Sequence, residues 1–537
     1  MRLALVVATL ALALVLGTAF RVDSMRHKHG FHVDEWWSYV TASGHLGQFG
    51  SLDGTSLYGR WVPAATWKGQ WRPVSTFGFA QIARQLGAHD VHPPLYFWAL
   101  HVWMLVFGVD FWSGPLLNLL VDILTGAALF GLGRRLLRDP LGAALVVLIW
   151  AVSPTVRLTS SMTRMYPMLA LFAVLFVWML VRAVDDHPVG ASRGRLGPLV
   201  LLSLVTLGGM ATQYQFVLIA AGGALYAIWR LIRVDRRQCL RTLASIAVGV
   251  ALVVVVEPGI VGQFRLESQK AGEHFSFGAL INKTNGVVDT TFGFFGLDKD
   301  RLKQAIAGPV RLGGLLPQHR LSPLVFLLGW GVLALVVALA VPRSRAWLAR
   351  RERGGLIALL YLAWIGGTIV AQNLLFRSQP AVLSARYLAA AWPFVAFIPV
   401  LLGRALLPKA RYVVPAVFCL AYLVPASIAP VNSVATMGPM PALQSARRAV
   451  IETTMPSTVP IALWYVPDQT PVYVDGGSAL ASSLPQWYPP LATGDFFVRR
   501  LSGDNRGWQE LHRLRVLVPV PGRSGGMQVY RIGPPRQ

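Results

Sequence analysis

Long apolar stretches separated by short polar segments dominate the hydrophobic pattern of this chain. The first is an unbroken run that begins directly after Arg2, and runs of similar length recur along most of the sequence. Since about 20 apolar residues cross a bilayer as a helix, the pattern predicts about eleven transmembrane helices. They cover residues 3–20, 114–133, 141–158, 167–183, 197–213, 216–230, 242–261, 321–341, 355–374, 387–403 and 412–429.

Composition supports a membrane location. Hydrophobic residues make up 54% and charged residues 14% of the 537 positions, and the mean hydropathy is +0.51, which is typical of a polytopic membrane protein and excludes an ordinary soluble domain. The net charge of +25 comes from short basic clusters between the apolar runs. Because these clusters form no single patch, they indicate topology and membrane lipids as partners, with no nucleic acid.

The basic clusters also set the orientation. Every second loop is basic if the first apolar run is a retained helix with its N-terminus inside, and if residues 95–108 lie at the interface without crossing. A cleavable signal peptide is the rival interpretation of the first run, but no clear small-x-small site precedes Arg21. The inner clusters are Arg134/Arg135/Arg138, Arg182/Arg193/Arg195, Arg230/Arg233/Arg236/Arg237/Arg241, Arg343/Arg345/Arg350/Arg351/Arg353 and Arg404/Lys409/Arg411.

This register predicts external loops at 21–113, 159–167, 262–320 and 375–386. After residue 430 the pattern changes to short alternating segments at 471–475, 515–520 and 527–531, which predict strands, with a helix at 442–454. We therefore divide the chain into a transmembrane domain at 1–430 and a small external α/β domain at 431–537.

Two polar motifs stand out in the first external loop. The first is His32-Val33-Asp34-Glu35-Trp36-Trp37-Ser38-Tyr39, and the second is His92-Pro93-Pro94-Leu95-Tyr96. An acidic pair after a hydrophobic helix is often only a solvated loop, and His-Pro-Pro is also a plain helix start. Together, however, they offer groups that can remove a proton and hold an anion.

These motifs resemble those of the C superfamily of membrane glycosyltransferases, family 39, which includes protein O-mannosyltransferases and the aminoarabinose transferases of lipid A. The resemblance implies a large first external loop with juxtamembrane helices, and a catalytic cavity flanked by the Asp-Glu pair and the His-Pro-Pro-Leu turn. It also implies that the first acid of the pair is catalytic. Asp34 is therefore the predicted general base, and we expect apolar neighbours to raise its pKa. Glu35 is the second catalytic candidate, as an orienter or a metal ligand.

Arginine side chains suit the phosphate of a lipid carrier, because the planar guanidinium binds it with two hydrogen bonds. Arg164 lies in a predicted external loop where the family has an arginine, and Arg386-Tyr387 matches an Arg-Tyr-Leu pattern of bacterial relatives. Both could instead be arginines at helix ends. His92 is a candidate for binding the phosphate or a divalent ion, although a histidine before proline is often only a cap. Tyr96 and Tyr166 complete the predicted substrate-binding set.

No cofactor is certain. A divalent metal ion is possible, but the acid that several relatives have shortly after the external arginine is missing, because Met165, Tyr166 and Pro167 follow Arg164. No ligand spacing supports a metal site. The sequence has no Gly-rich nucleotide loop, which disfavours a nucleotide-sugar donor.

The sequence thus predicts an inverting glycosyltransferase that moves a sugar from a polyprenyl-phosphate donor to a lipid, glycan or protein acceptor on the outer face of the inner membrane. A flippase for lipid-linked saccharides is one alternative. That class would favour polar residues deep within the helices, internal duplication or broken half-helices, and the sequence shows little of these features. A polysaccharide polymerase or ligase that uses a polyprenyl-diphosphate glycan is the other.

Overall fold

The computed structural model describes residues 2–49, 57–185, 196–260, 262–263, 385–428, 440–453, 458–486, 491–500, 504–524 and 526–536. Helices form most of the described residues before residue 430. In chain order they are α1 (Arg2–Arg26), α2 (Val33–Ser43), α3 (Leu46–Phe49), α4 (Ala64–Lys68), α5 (Phe79–His89), α6 (Leu95–Phe107), α7 (Ser113–Leu137), α8 (Pro140–Val152), α9 (Pro154–Ser160), α10 (Tyr166–Asp185), α11 (Leu196–Thr212), α12 (Phe216–Leu231), α13 (Arg236–Ala251), α14 (Val253–Val256), α15 (Trp392–Val395), α16 (Phe397–Leu406) and α17 (Val413–Ile428).

Helical segments occupy the predicted spans that fall among these residues, whereas 321–341, 355–374 and nearly all of the loop 262–320 lie outside them. Four described helices are long and apolar enough to cross a membrane, namely Arg2–Arg26, Ser113–Leu137, Tyr166–Val184 and Arg236–Val256. Helix α6, where the interfacial helix is predicted, has 13 residues, or about 20 Å. It is one of the shorter apolar helices among the described residues, with Leu196–Thr212, Phe216–Leu231 and Trp392–Arg404.

The predicted span at 141–158 is broken. Helices α8 and α9 meet at Pro154 with a bend of 58°, because proline has no N–H to continue the hydrogen-bond ladder. Arg21 of α1 compensates at the break by donating from Nη1 to the carbonyl of Ala151 (3.0 Å), and it also pairs with Asp122 of α7. The break sets the position of α9 and of the turn at 161–165 that follows it.

Among the described residues, five strands of the C-terminal part and one strand from the segment 21–113 form a six-stranded sheet. The strands are β1 (Trp61–Pro63), β2 (Ala449–Glu452), β3 (Pro471–Asp475), β4 (Phe496–Arg500), β5 (Arg515–Ser524) and β6 (Met527–Pro535), and the helices of the C-terminal part are α18 (Val459–Leu463), α19 (Gly477–Ser483) and α20 (Arg506–Leu514). The strand order in the sheet is β1-β3-β2-β4-β6-β5. The strands β2, β3 and β4 are parallel, and the other pairs are antiparallel.

The three strands predicted in this part are present, but the helix predicted at 442–454 is wrong. Only a short 3-10 helix at Pro441–Ser445 occurs there, followed by β2. All four residues of β2 are buried between two parallel neighbours. A strand covered on both faces reads as a continuous apolar run, which periodicity does not distinguish from a buried helix.

The segment 21–113, which is the predicted first external loop, shares one hydrophobic core with the C-terminal sheet. Strand β1 comes from the loop and pairs with β3, and Trp36 of α2 packs on Trp71 with ring centroids 4.4 Å apart. Trp464 of the C-terminal part lies 5.1 Å from the ring of Phe31, just before α2. This core covers one side of α2. Asp34 lies on the opposite side of the helix, which faces Arg164 and Arg386.

Candidate active site

The acidic pair opens helix α2. His32 is the N-cap, and its Nδ1 accepts a hydrogen bond from the backbone N–H of Asp34 (3.1 Å). Glu35 Oε2 accepts from the backbone N–H of His32 (2.7 Å), which completes a capping box with histidine in place of serine or threonine. Two acids in the first turn also suit the positive end of the helix dipole. The order of residues therefore fixes where the helix starts and places the two acids about 100° apart around its axis.

Asp34 lies in a cluster of arginine and histidine side chains. Its Oδ2 forms an ion pair with Arg386 Nη1 and lies 3.6 Å from His32 Nδ1, and its side chain is 26% exposed. Arg164 Nη1 approaches the same turn, where it donates to the carbonyl of Asp34 and to Ser38 Oγ at 3.3 Å each. The structure thus brings both predicted phosphate-binding arginines to the predicted base.

Each of these arginines keeps a free donor. The Nε atoms of Arg164 and Arg386 are buried and have no hydrogen-bond partner among the described residues. The guanidinium of Arg386 also lies over the ring of Tyr387, 5.2 Å from its centroid. The ring of Tyr387 meets Tyr166 edge to face at 6.4 Å. Unpartnered N–H groups of a planar guanidinium are suited to bind the oxygen atoms of a phosphate.

The expectation that apolar neighbours raise the pKa of Asp34 is wrong. Burial is the largest single influence and does act to raise it, but Arg164 and Arg386, with smaller contributions from His32 and His92, outweigh burial. The pKa of Asp34 therefore lies below its ordinary value. The carboxylate is ionised at neutral pH, but it is held as a partner of the arginines and is a weak base in this state.

Glu35 points away from this cluster. It is completely buried, and it accepts hydrogen bonds from Lys28 Nζ, from the backbone N–H of Thr163 (2.8 Å) and from Thr163 Oγ1 (3.1 Å). These contacts occupy its oxygen atoms. The predicted catalytic pair is thus divided in space, with Asp34 toward the arginines and Glu35 inside the protein.

His92 joins the cluster from the second motif. Its Nε2 lies 3.4 Å from Arg164 Nη2, and its Nδ1 lies 2.9 Å from Asp90 Oδ1. The pKa of Asp90 is about 2, because His92, Arg164 and the backbone N–H of Val91 outweigh the effect of burial. An ionised carboxylate only accepts, so Nδ1 carries the proton of this contact and Nε2 faces the arginine.

Tyr96 is not among the side chains that line this cluster. It is fully buried, and its hydroxyl donates to Asn118 Oδ1 (3.3 Å). The amide of Asn118 in turn donates to the carbonyl of Met162 in the turn before Arg164. Tyr96 therefore supports the site from behind, while Tyr166 lies beside both arginines.

Sequence reasoning missed Asp90, Lys28, Ser38 and Thr163. Asp90 had a signal, since it lies two residues before His92 and an acid often fixes the ring of a histidine. Ser38 follows Asp34 by one helical turn and so shares its face. Lys28 and Thr163 had no signal, because their roles depend on contacts with Glu35 that span 7 and 128 residues.

A metal ion does not fit these residues. Within the described ranges no group of three or more His, Cys, Asp or Glu side chains is placed to hold one. The two acids of the motif already face cations, Asp34 with Arg386 and Glu35 with Lys28. No step in the chemistry below therefore uses a metal.

Comparisons with known proteins find one matching family model and several solved structures of similar fold. Residues 91–260 match the dolichyl-phosphate-mannose-protein mannosyltransferase family, a stretch that contains His92, Tyr96, Arg164 and Tyr166. No functionally curated protein matches the chain in sequence.

Solved structures show a similar fold. ArnT from Cupriavidus metallidurans bound to undecaprenyl phosphate is 14% identical, with a TM-score of 0.53 over 98% of this chain and 97% of that chain. The apo oligosaccharyltransferase from Archaeoglobus fulgidus is 11% identical, with a TM-score of 0.48 over 98% of this chain and 74% of that chain. The resemblance to the C-superfamily membrane glycosyltransferases is confirmed at the level of the fold, since the stretch with the His-Pro-Pro-Leu motif matches the family model and the chain has the fold of ArnT.

Proposed function

We propose that the chain is an inverting glycosyltransferase that moves a sugar from a polyprenyl-phosphate carrier to a hydroxyl of a lipid, glycan or protein acceptor. The observation that carries the proposal is the juxtaposition of a partly exposed carboxylate, Asp34, with two arginines whose Nε–H groups have no partner among the described residues. The cluster thus combines a base with a binding site for phosphate, formed by Arg164 and Arg386 and called the phosphate cradle from here on. The undecaprenyl phosphate bound to ArnT supports a carrier of this chemical class.

The reaction is a single displacement. The acceptor oxygen attacks the anomeric carbon and loses its proton to Asp34, while the bond from that carbon to the phosphate oxygen breaks. The electron pair of this bond goes to the phosphate, whose charge Arg164 and Arg386 stabilise. The products are the glycoside with inverted configuration and the polyprenyl phosphate.

Because Asp34 forms an ion pair with Arg386, the donor must bind before Asp34 can act as a base. The carrier phosphate competes for the guanidinium of Arg386 and so releases Asp34 from its partner. Loss of the pair raises the pKa of the carboxylate, because one of the cations that lower it is then shared with the phosphate. Asp34 therefore becomes an effective base only after the donor has bound.

We place the site on the outer face of the inner membrane of a bacterium, in a chain of about eleven spans. The division at residues 430 and 431 is part of the same proposal, with a C-terminal α/β domain outside. The positions of the basic clusters support this arrangement. Strand β1 and the shared core link the C-terminal part to the first external loop, so that both lie on one side.

A donor assay tests the proposed function. The purified chain in lipid nanodiscs is incubated with polyprenyl-monophosphate sugars and, in parallel, with polyprenyl-diphosphate glycans. We expect transfer from a monophosphate donor only, because ArnT, a solved structure with this fold, is bound to undecaprenyl phosphate, which is a monophosphate. Transfer from the diphosphate donors alone would favour a polymerase or ligase. Movement of the lipid-linked sugar across the bilayer without transfer would favour a flippase.

Cysteine labelling tests the topology. Both native cysteines, Cys239 and Cys419, are buried and are replaced by serine to give a silent background. In cells with an intact inner membrane, an impermeant maleimide should label Ser482→Cys, an exposed position on α19. Arg237→Cys, exposed at the start of α13, should label only after permeabilisation. The reverse pattern would contradict the orientation and move the site to the inner face.

A further inference from the structure

Lys28, between α1 and α2, is a lysine with almost no access to water. Its side chain is 2% exposed. Its Nζ donates to Glu35 Oε1 and to the carbonyl of Ser161 (3.0 Å), and it lies 5.9 Å from the ring centroid of Phe31. One ammonium group therefore joins helix α2 to the turn at 161–165. No step of the proposed reaction uses it.

Glu35, which accepts the hydrogen bond of this ammonium group, also binds the turn at 161–165. Glu35 Oε1 receives Lys28 together with the backbone N–H and the hydroxyl of Thr163. Thr163 is packed so closely on Gly114 of α7 that a methyl group at that glycine would clash with its side chain. The turn is thus held by hydrogen bonds on one side and by helix α7 on the other.

The next residue along the chain is Arg164. Its backbone position follows directly from that of Thr163, and its guanidinium reaches back to the carbonyl of Asp34 and to Ser38. The adjacent acids of α2 therefore have different tasks. Asp34 faces the reacting groups, and Glu35 fixes the turn that supplies the phosphate-binding arginine.

We propose that Lys28 is a positioning residue for glycosyl transfer, acting through Glu35 and Thr163 to hold Arg164 in the phosphate cradle, an inference that rests on the proposed function. Burial of both partners makes the pair sensitive to substitution. Removing the ammonium leaves the carboxylate of Glu35 in a site without water, where an unpaired charge is strongly disfavoured. Glu35 is then expected to turn toward solvent and release Thr163.

The test measures equilibrium binding of polyprenyl phosphate by calorimetry in nanodiscs. We expect Lys28→Met to weaken binding by about tenfold. The isosteric Thr163→Val removes the hydrogen bonds of the hydroxyl to Glu35 and Tyr39 but leaves no unpaired charge, so it should weaken binding by about threefold. Lys68→Met is the matched control, because Lys68 lies in the same external loop but pairs with an exposed acid, Asp468. Its binding should stay within about twofold of the unmodified chain.

Coupling with Arg164 distinguishes positioning from general damage. If Lys28 acts through Arg164, then Lys28→Met should weaken binding by less than about twofold in an Arg164→Ala background, because the group that it positions is already absent. Full additivity of the two losses overturns the inference, as does unchanged binding in both Lys28→Met and Thr163→Val. If the unmodified chain does not bind polyprenyl phosphate, the proposed function fails and the inference fails with it.

Discussion

Asp34→Asn should lower the turnover number by about two to four orders of magnitude, which is the usual contribution of a general base. The substitution keeps the shape of the side chain and removes only its ability to take the proton of the acceptor hydroxyl. Carrier binding should not weaken. It should even tighten slightly, because the ion pair with Arg386 is lost and the guanidinium is free for the phosphate.

Steady-state rates of transfer at saturating donor check this prediction. Asp468→Asn is the matched control, since Asp468 is an exposed acid that pairs with Lys68 away from the cluster, and its turnover should equal that of the unmodified chain. A fall in turnover accompanied by an equal loss of donor affinity would mean that Asp34 serves mainly to hold the arginines. The assignment of a base would then be wrong.

Removal of the arginines should have the second largest effect. We expect Arg164→Ala or Arg386→Ala to weaken binding of polyprenyl phosphate by about 10- to 100-fold, the range for hydrogen bonds to a charged group. Arg164→Lys keeps the charge but loses the planar fork, so its affinity should lie between those of the unmodified chain and Arg164→Ala. Unchanged affinity in both alanine variants would show that the phosphate binds elsewhere.

The pH profile of an Arg386→Gln variant gives a second readout of the same cluster. Arg386 is one of the cations that lower the pKa of Asp34, so its removal raises that pKa, while Arg164, His32 and His92 still face the carboxylate. The base must be ionised to act. The acidic limb of kcat/KM should therefore move to higher pH in the variant. An unmoved limb would mean that another group controls the acidic side of the profile.

The sequence was sufficient for the parts of the site that depend on local patterns. The apolar runs predict the helices found among the described residues. The positive-inside rule predicts that Asp34, His92, Arg164 and Arg386 lie on the same side of the membrane. The structure brings these four residues together across as many as 352 positions of the chain.

The parts that the sequence did not give depend on direction and burial. Asp34 and Glu35 are neighbours in sequence, but successive residues of a helix point about 100° apart, and tertiary contacts decide which of them meets Lys28. The pKa of Asp34 was predicted in the wrong direction because its apolar surroundings are visible in the sequence, whereas the two arginines reach it only in the fold. The prediction of a helix at 442–454 is wrong because a strand that is buried on both faces is apolar throughout and lacks the alternation that usually identifies a strand.

The most direct test of the account is a single-turnover experiment on a preformed complex of the chain with a polyprenyl-monophosphate sugar. Acceptor is added to the unmodified chain and to Asp34→Asn, with equal amounts of bound donor confirmed beforehand. We expect rapid transfer with inverted configuration by the unmodified chain, and transfer slower by about two to four orders of magnitude by the variant. Transfer at an unchanged rate by Asp34→Asn would contradict the assignment of Asp34 as the base, because the cluster would then bind the phosphate without supplying that base.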